Sequence, residues 1–236
     1  MSTARKIKHL MNFRILALVL VVFFLSTEAR ANLYGFKSIT NNNASDAAVG
    51  EAQLTVDVTN PGSDQVLFTF YNTTAIEACS ITDIYIDDGA LLADIYSLTG
   101  TFGVSFSNPA TPGDLPGGNG IVPQFNTSAG LSADSDPDVY ANGVNAATEY
   151  LEVLFNLKSG KTFADVLTAI DRGFHPELYY NFTSKTWNFD HLLIGMHVQG
   201  FDSGGSESFI ATPVPGALLL GMLGMGVAGM KLRKYA

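Results

Sequence analysis

The sequence predicts a mainly β fold: an antiparallel β-sandwich, jelly-roll-like, with one short helix, flanked by an N-terminal signal helix and a C-terminal transmembrane helix. Three observations predict it. Short runs rich in β-branched and aromatic residues recur between polar turns over residues 32–211. A single stretch carries helical spacing. Both chain ends are basic and apolar, whereas the body between them is acidic.

The first element is the signal segment, 1–31. Arg5, Lys6, Lys8 and Arg14 precede the apolar run Ile15 to Leu25. Eleven helical residues reach about 17 Å, about half of a ~30 Å hydrocarbon core, so the run suits a cleaved signal and not a span. Ala29-Arg30-Ala31 is the small-x-small pattern read by a signal peptidase, so Ala29 and Ala31 mark the cleavage site and the exported chain starts at Asn32. Signal peptidase and the Sec translocon are the partners this implies.

The exported domain, 32–211, opens its strands with EAQLTVDVTN, where Leu54, Val56 and Val58 share one face before Asn60-Pro61-Gly62 breaks the run. QVLFTFYN follows with Val66, Phe68 and Phe70 on one face, and the two read as a hairpin. ITDIYID, DIYSLTG, TFGVSFS, EYLEVLFNL, LLIGMHVQGF and SESFIA are the remaining strand candidates. NPATPGDLPGGNGIVP holds too much Gly and Pro for regular structure and predicts a long surface loop. The helix is KTFADVLTAIDRGF: Thr162 caps it, Asp165 sits at its third position, and Phe163, Val166, Leu167 and Ile170 form its apolar face before Gly173.

Charge excludes one class of partner. The whole chain carries −9, but between Asn32 and Ala211 five basic residues face twenty-one acids, a net of −16. A body so acidic repels nucleic acid and anionic lipid. Cys79 is the only cysteine, so no internal disulfide forms and the core must hold the fold; its apolar surroundings read as a buried small hydrophobe.

Candidates for catalysis are weak. His191 and His197 lie six residues apart, which on an uninterrupted strand is about 20 Å, too far for one metal, and no HExxH accompanies them. Gly204-Gly205-Ser206 resembles half of a nucleophile elbow, but Ser208 stands where GxSxG needs glycine, so no catalytic residue is assigned. The densest acidic group, Asp134, Asp136 and Asp138, echoes the alternate-oxygen spacing of a calcium loop but has Val139 at the sixth position and Asn145 at the twelfth. It is a calcium candidate weighed against a solvated acidic turn. Asp83, Asp87 and Asp88 are a second, weaker one, and Asp87-Asp88-Gly89 reads more simply as a turn.

The last element, 212–236, sets Pro213-Val214-Pro215-Gly216 before the apolar run Ala217 to Met230 and ends on Lys231, Arg233 and Lys234. The basic end reads as a stop-transfer signal that leaves the acidic body outside. Fourteen residues give about 21 Å of helix, marginal for a span, and Ala217 with Gly221 and Gly224 with Ala228 offer small-xxx-small spacings. This tail resembles the PEP-CTERM sorting signal of bacterial exported proteins, with Val214 in place of the usual glutamate. LLIGMHVQGFDSGGSESF is similar to a stretch that recurs upstream of such tails. The resemblance implies a substrate of an exosortase-type membrane protease, anchored in the inner membrane during export and then placed at the cell surface or outside. It further implies an association with extracellular polysaccharide. The expected function is a structural or adhesive surface protein and not an enzyme. The alternative is a carbohydrate-binding module using Tyr179, Tyr180 and Trp187, with or without calcium, and a secreted hydrolase ranks third.

Overall fold

The computed structural model describes residues 32–73 and 76–214. Ala29 and Ala31, Pro215 and Gly216, and Lys231, Arg233 and Lys234 lie outside the described residues, as do the expected signal and transmembrane helices. Among the described residues no helix is long and apolar enough to cross a membrane.

Ten strands form one antiparallel sheet. In chain order they are β1 (Leu33–Ser38), β2 (Leu54–Gly62), β3 (Gln65–Asn72), β4 (Ser80–Asp88), β5 (Leu92–Gly100), β6 (Phe106–Ser107), β7 (Ser132–Ser135), β8 (Tyr150–Leu157), β11 (Leu192–Gln199) and β12 (Ser206–Pro213). A separate small hairpin pairs β9 (Tyr180–Asn181) with β10 (Thr186–Trp187). The spatial order of the large sheet is β5-β8-β3-β2-β1-β12-β11-β4-β7-β6. The expected mainly β, antiparallel fold is present; its strands form one continuous sheet, nearly closed, curled until its end strands β5 and β6 meet. Strand twist accumulates around such a sheet and brings the edges together. A turn with Val104 N donating to Thr101 O (2.9 Å) lies on the path between the two end strands.

The hairpin read from the sequence is present: β2 and β3 pair from Leu54↔Asn72 to Gly62↔Gln65. Leu54, Val56, Val58, Val66, Phe68 and Phe70 are all buried in the main core, as their alternation requires. β8 adds Leu151, Val153 and Phe155, and the rings of Phe68 and Phe155 meet edge-on at 5.1 Å. From the other half of the sheet come Ile84, Ile86, Ile194, Met196 and Phe209. Cys79 is buried just before β4, receives a hydrogen bond from Gln53 Nε2 (3.1 Å), and burial pushes its thiol up to about 11.

Four α-helices, not one, and a short 3-10 turn (Gly118–Gly120) accompany the strands among the described residues: α1 (Ala44–Gln53), α2 (Val139–Asn142), α3 (Phe163–Phe174) and α4 (Pro176–Tyr179). The expected helix is α3. Thr162 Oγ1 accepts from Asp165 N (3.3 Å), and the Asp165 carboxylate accepts in turn from Thr162 N (2.8 Å), a reciprocal capping box. Gly173 lies inside the last turn, where a Cβ would stand 2.7 Å from Leu192 O. α1 takes Glu51 to Gln53 away from the expected first strand. Its residues ASDAAVGEAQ carry almost no apolar stripe, and it is held instead by the Asn43 cap and by the close approach of Gly50 to the Phe209 ring.

The Gly/Pro-rich stretch is also corrected. It runs across the outside of the sheet, but Ala110, Leu115 and Phe125 are buried with Tyr85 and Leu193 in a second, smaller core. Gly195 makes the approach possible: a Cβ there would stand 2.8 Å from Leu115 and 3.0 Å from Phe125. The segment is a cover on one half of the sheet.

Candidate ligand-binding site

The sheet register brings histidine and carboxylate together twice. On the β4–β11 ladder Asp83 faces His197, and Asp83 Oδ2 lies 3.2 Å from His197 Nδ1. Four residues along β4, Asp87 Oδ1 lies 3.2 Å from His191 Nε2. With carboxylate partners the facing ring nitrogens carry the protons and donate. The two histidines thus belong to separate sites, as the strand spacing requires.

The Asp83 site is closed. Asp83 also accepts from Thr82 Oγ1 (2.7 Å), and the single Tyr85 O–H is shared between Pro112 O (3.1 Å) and Asp83 Oδ1 (3.4 Å). Burial first, and then the Asp83 charge, push the Tyr85 phenol far above its ordinary value. Across the next strand, β12, Ser208 stands opposite His197. Asp83, His197 and Ser208 therefore form a row with the composition of a Ser-His-Asp triad, which only the register reveals. Ser208 Oγ is buried and has no hydrogen-bond partner among the described residues. A nucleophile needs a base within reach and room for a substrate, and neither accompanies Ser208. Its neighbour Glu207 is also buried and accepts from Ser38 Oγ (3.3 Å), Thr40 Oγ1 and Asn43 N (2.6 Å), pinning the start of α1 to β12. In the same stretch, Gly204 takes φ 77° in the turn before β12, and Ser203 Oγ donates to Asp46 Oδ2 (2.5 Å). These bonds tie the end of LLIGMHVQGFDSGGSESF to α1 and to the chain before it.

The calcium candidates separate. Asp134 lies on β7 opposite Asp83 and accepts from Thr111 N (3.0 Å). Burial, with the charges of Asp83 and Asp136, holds its carboxyl above the usual range. Asp136 accepts from Ser105 Oγ (2.6 Å), which lowers its pKa. Asp138 precedes α2 and makes no side-chain cap. Among the described residues no three His, Cys, Asp or Glu side chains converge to hold a metal ion. Asp88 serves the turn read from the sequence, accepting from Leu91 N (2.9 Å) and Leu92 N (3.0 Å).

The Asp87 site opens outward, through the β9–β10 hairpin. Asn181 closes that hairpin by accepting from Thr183 N (2.9 Å) and Ser184 N (3.0 Å), an Asx turn. It presents a run of aromatic contacts. Trp187 stacks on the His191 ring at 4.3 Å with an interplanar angle of 12°, and Tyr180 meets Trp187 edge-on at 5.2 Å. Tyr179 meets Phe189 edge-on at 6.0 Å, and the Arg172 guanidinium lies 5.0 Å from the Phe189 centroid. Lys161 Nζ binds Asp190 Oδ2 at 2.6 Å, and that carboxylate raises the lysine pKa.

A cavity of about 420 Å³ is lined by Thr186, Trp187, Asn188, Phe189, Asp190 and His191, together with Gly89. Gly89 is required by contact: a Cβ would stand 2.8 Å from His191 Nδ1. That nitrogen is buried and has no hydrogen-bond partner among the described residues. Aromatic faces beside amide, hydroxyl and carboxylate groups are the chemistry that holds sugar rings. Of the residues expected for carbohydrate, Trp187 lines the cavity, whereas Tyr179 and Tyr180 support the aromatics around it. From the sequence His191 is weighed only as a metal ligand and Phe189 and Asp190 are not reached, because nothing in their local pattern sets His191 against Asp87 or brings Phe189 and Asp190 to Arg172 and Lys161.

No protein-family model matches the chain, and no curated protein or solved structure shows a significant similarity to it.

Proposed function

We propose that the chain is an exported surface protein of adhesive type, whose β domain binds carbohydrate at the Trp187 cavity and whose tail is the substrate of an exosortase-type sorting system. The observation that carries the binding reading is the stacked Trp187–His191 pair beside a cavity lined by Asn188 and Asp190. A surface-held protein with a net acidic body fits a neutral or cationic polysaccharide better than a uronic one. The sorting reading rests on the tail sequence, Pro213-Val214-Pro215 before an apolar run and a basic end.

Binding rather than turnover is favoured because the buried carboxylate–histidine pairs are engaged in the fold and Ser208 has no open approach. The test is a glycan array with the full chain and Trp187→Ala. Retention of neutral glycans by the parent, with at least a tenfold loss in the variant, is expected; equal signals from both would refute the site. Calcium is expected to change neither signal. Turnover of a polysaccharide panel that vanished in Ser208→Ala would replace the binding reading with a hydrolytic one.

A further inference from the structure

A second concavity lies at the end of the domain where the described chain stops. It has a volume of about 220 Å³ and is lined chiefly by apolar groups: Ile121 and Val122 of the covering loop, Phe174 and Pro176 at the end of α3, and Leu193 and Ile210 of the sheet. Val122 is 72% exposed, an unusual state for a valine beside an apolar groove. One wall is the last stretch of β12, Ile210 to Pro213. β12 pairs with β1 as far as Pro213 but with β11 only as far as Ile210, and the groove lies over this last stretch, between it and Leu193 on one side and the covering loop on the other.

The chain that follows has the chemistry of that occupant. In Val214-Pro215-Gly216-Ala217 the order Pro-Gly is the one that type II turns favour at their two central positions, Pro for its fixed φ and Gly for a positive φ. Ala217-Leu218-Leu219-Leu220 comes next, and four extended residues cover about 13 Å, the length of the four-residue β12 wall. We propose that, when no bilayer is present, the chain reverses at Pro215-Gly216 and lays Ala217–Leu220 in this groove. The apolar start of the tail is thereby kept from water and from other copies until the membrane competes for it. The proposal is independent of carbohydrate binding, and it makes the sorting segment a two-position element, docked on its own domain or inserted in lipid.

Cysteine cross-linking tests it, since Cys79 is fully buried and inert as a background thiol. The full chain is made by cell-free translation without membranes, carrying Val122→Cys with Leu219→Cys, and is oxidised. A control pairs Leu219→Cys with Ile76→Cys, an exposed position at the opposite end of β2. Intramolecular disulfide at least fivefold above the control is expected. Gly216→Val, which removes the residue able to take positive φ, should return the yield to the control level. Phosphatidylethanolamine–phosphatidylglycerol vesicles should lower the parent yield at least fivefold. A yield equal to the control would overturn the proposal, as would a yield unchanged by vesicles. Disulfide-linked dimers would assign the groove to a second copy, and a stronger link from Leu20→Cys would assign it to the N-terminal apolar run.

Discussion

The two halves of the curled sheet solve burial differently. In the half β5-β8-β3-β2, one face meets the core and the other meets water, so Leu151, Val153, Phe155 and Leu157 alternate with half-buried Glu152, Leu154 and Asn156. In the half β12-β11-β4-β7, both faces are covered. β4 is buried at every position except its last: Ile84 and Ile86 face the main core, and Asp83, Tyr85 and Asp87 lie under the loop and its neighbours. The open half can afford ordinary alternation, whereas the covered half must satisfy each polar group internally, which is why its carboxylates meet histidines, hydroxyls and backbone N–H groups. The cavity lined by Trp187 adjoins this covered half, since Trp187 packs against the second core.

This contrast can be broken most severely in the open half. Phe68→Ala removes a ring packed against Phe155 at zero exposure, and a loss of about 3–5 kcal/mol in urea unfolding is expected. A loss below 1 kcal/mol would mean that the two halves do not share one core. The covered half should respond locally. Gly195→Ala puts a methyl against Leu115 and Phe125 and is expected to cost about 1–3 kcal/mol. Limited proteolysis should then cut within 108–131 at least tenfold faster while the inward face of β11 stays protected; global cleavage at equal rates would show that the cover is part of the main core.

Smaller effects sharpen the comparison. Thr162→Ala removes the α3 cap and is expected to cost about 1 kcal/mol. The reciprocal bonds from Thr162 lower the Asp165 pKa, so its stabilisation is complete above the unfolded carboxyl value and is lost as pH falls through the lower folded value. Thermal melts at pH 7 and near pH 2 should therefore differ less in Asp165→Asn than in the parent. Asp134 in the covered half has the opposite sign: its raised pKa means that stability declines as pH climbs from the unfolded value through the folded one. Asp134→Asn should raise the melting temperature slightly at pH 7 and leave it unchanged at pH 2. A destabilised Asp134→Asn at pH 7 would show that ionised Asp134 serves the fold.

What the sequence determined by itself follows from the same physics. Where one face meets water, period-two alternation is written into the residues, so the β2–β3 hairpin and β8 are legible. The α3 helix is equally so, through Thr162, Asp165 and its apolar spacing. The single cysteine likewise excludes an internal disulfide from the residues alone. Tertiary structure decided everything that depends on a distant partner. β1 and β7 are short strands stabilised by their neighbours, and α1 is held by a cap and close packing instead of an apolar stripe. The Gly/Pro-rich segment became a cover because Gly195, more than sixty residues away, leaves room for Leu115 and Phe125. The candidate site is the extreme case: His191 lies 104 residues from Asp87, and a hydrogen bond between them exists only because the β4–β11 register sets both on one face.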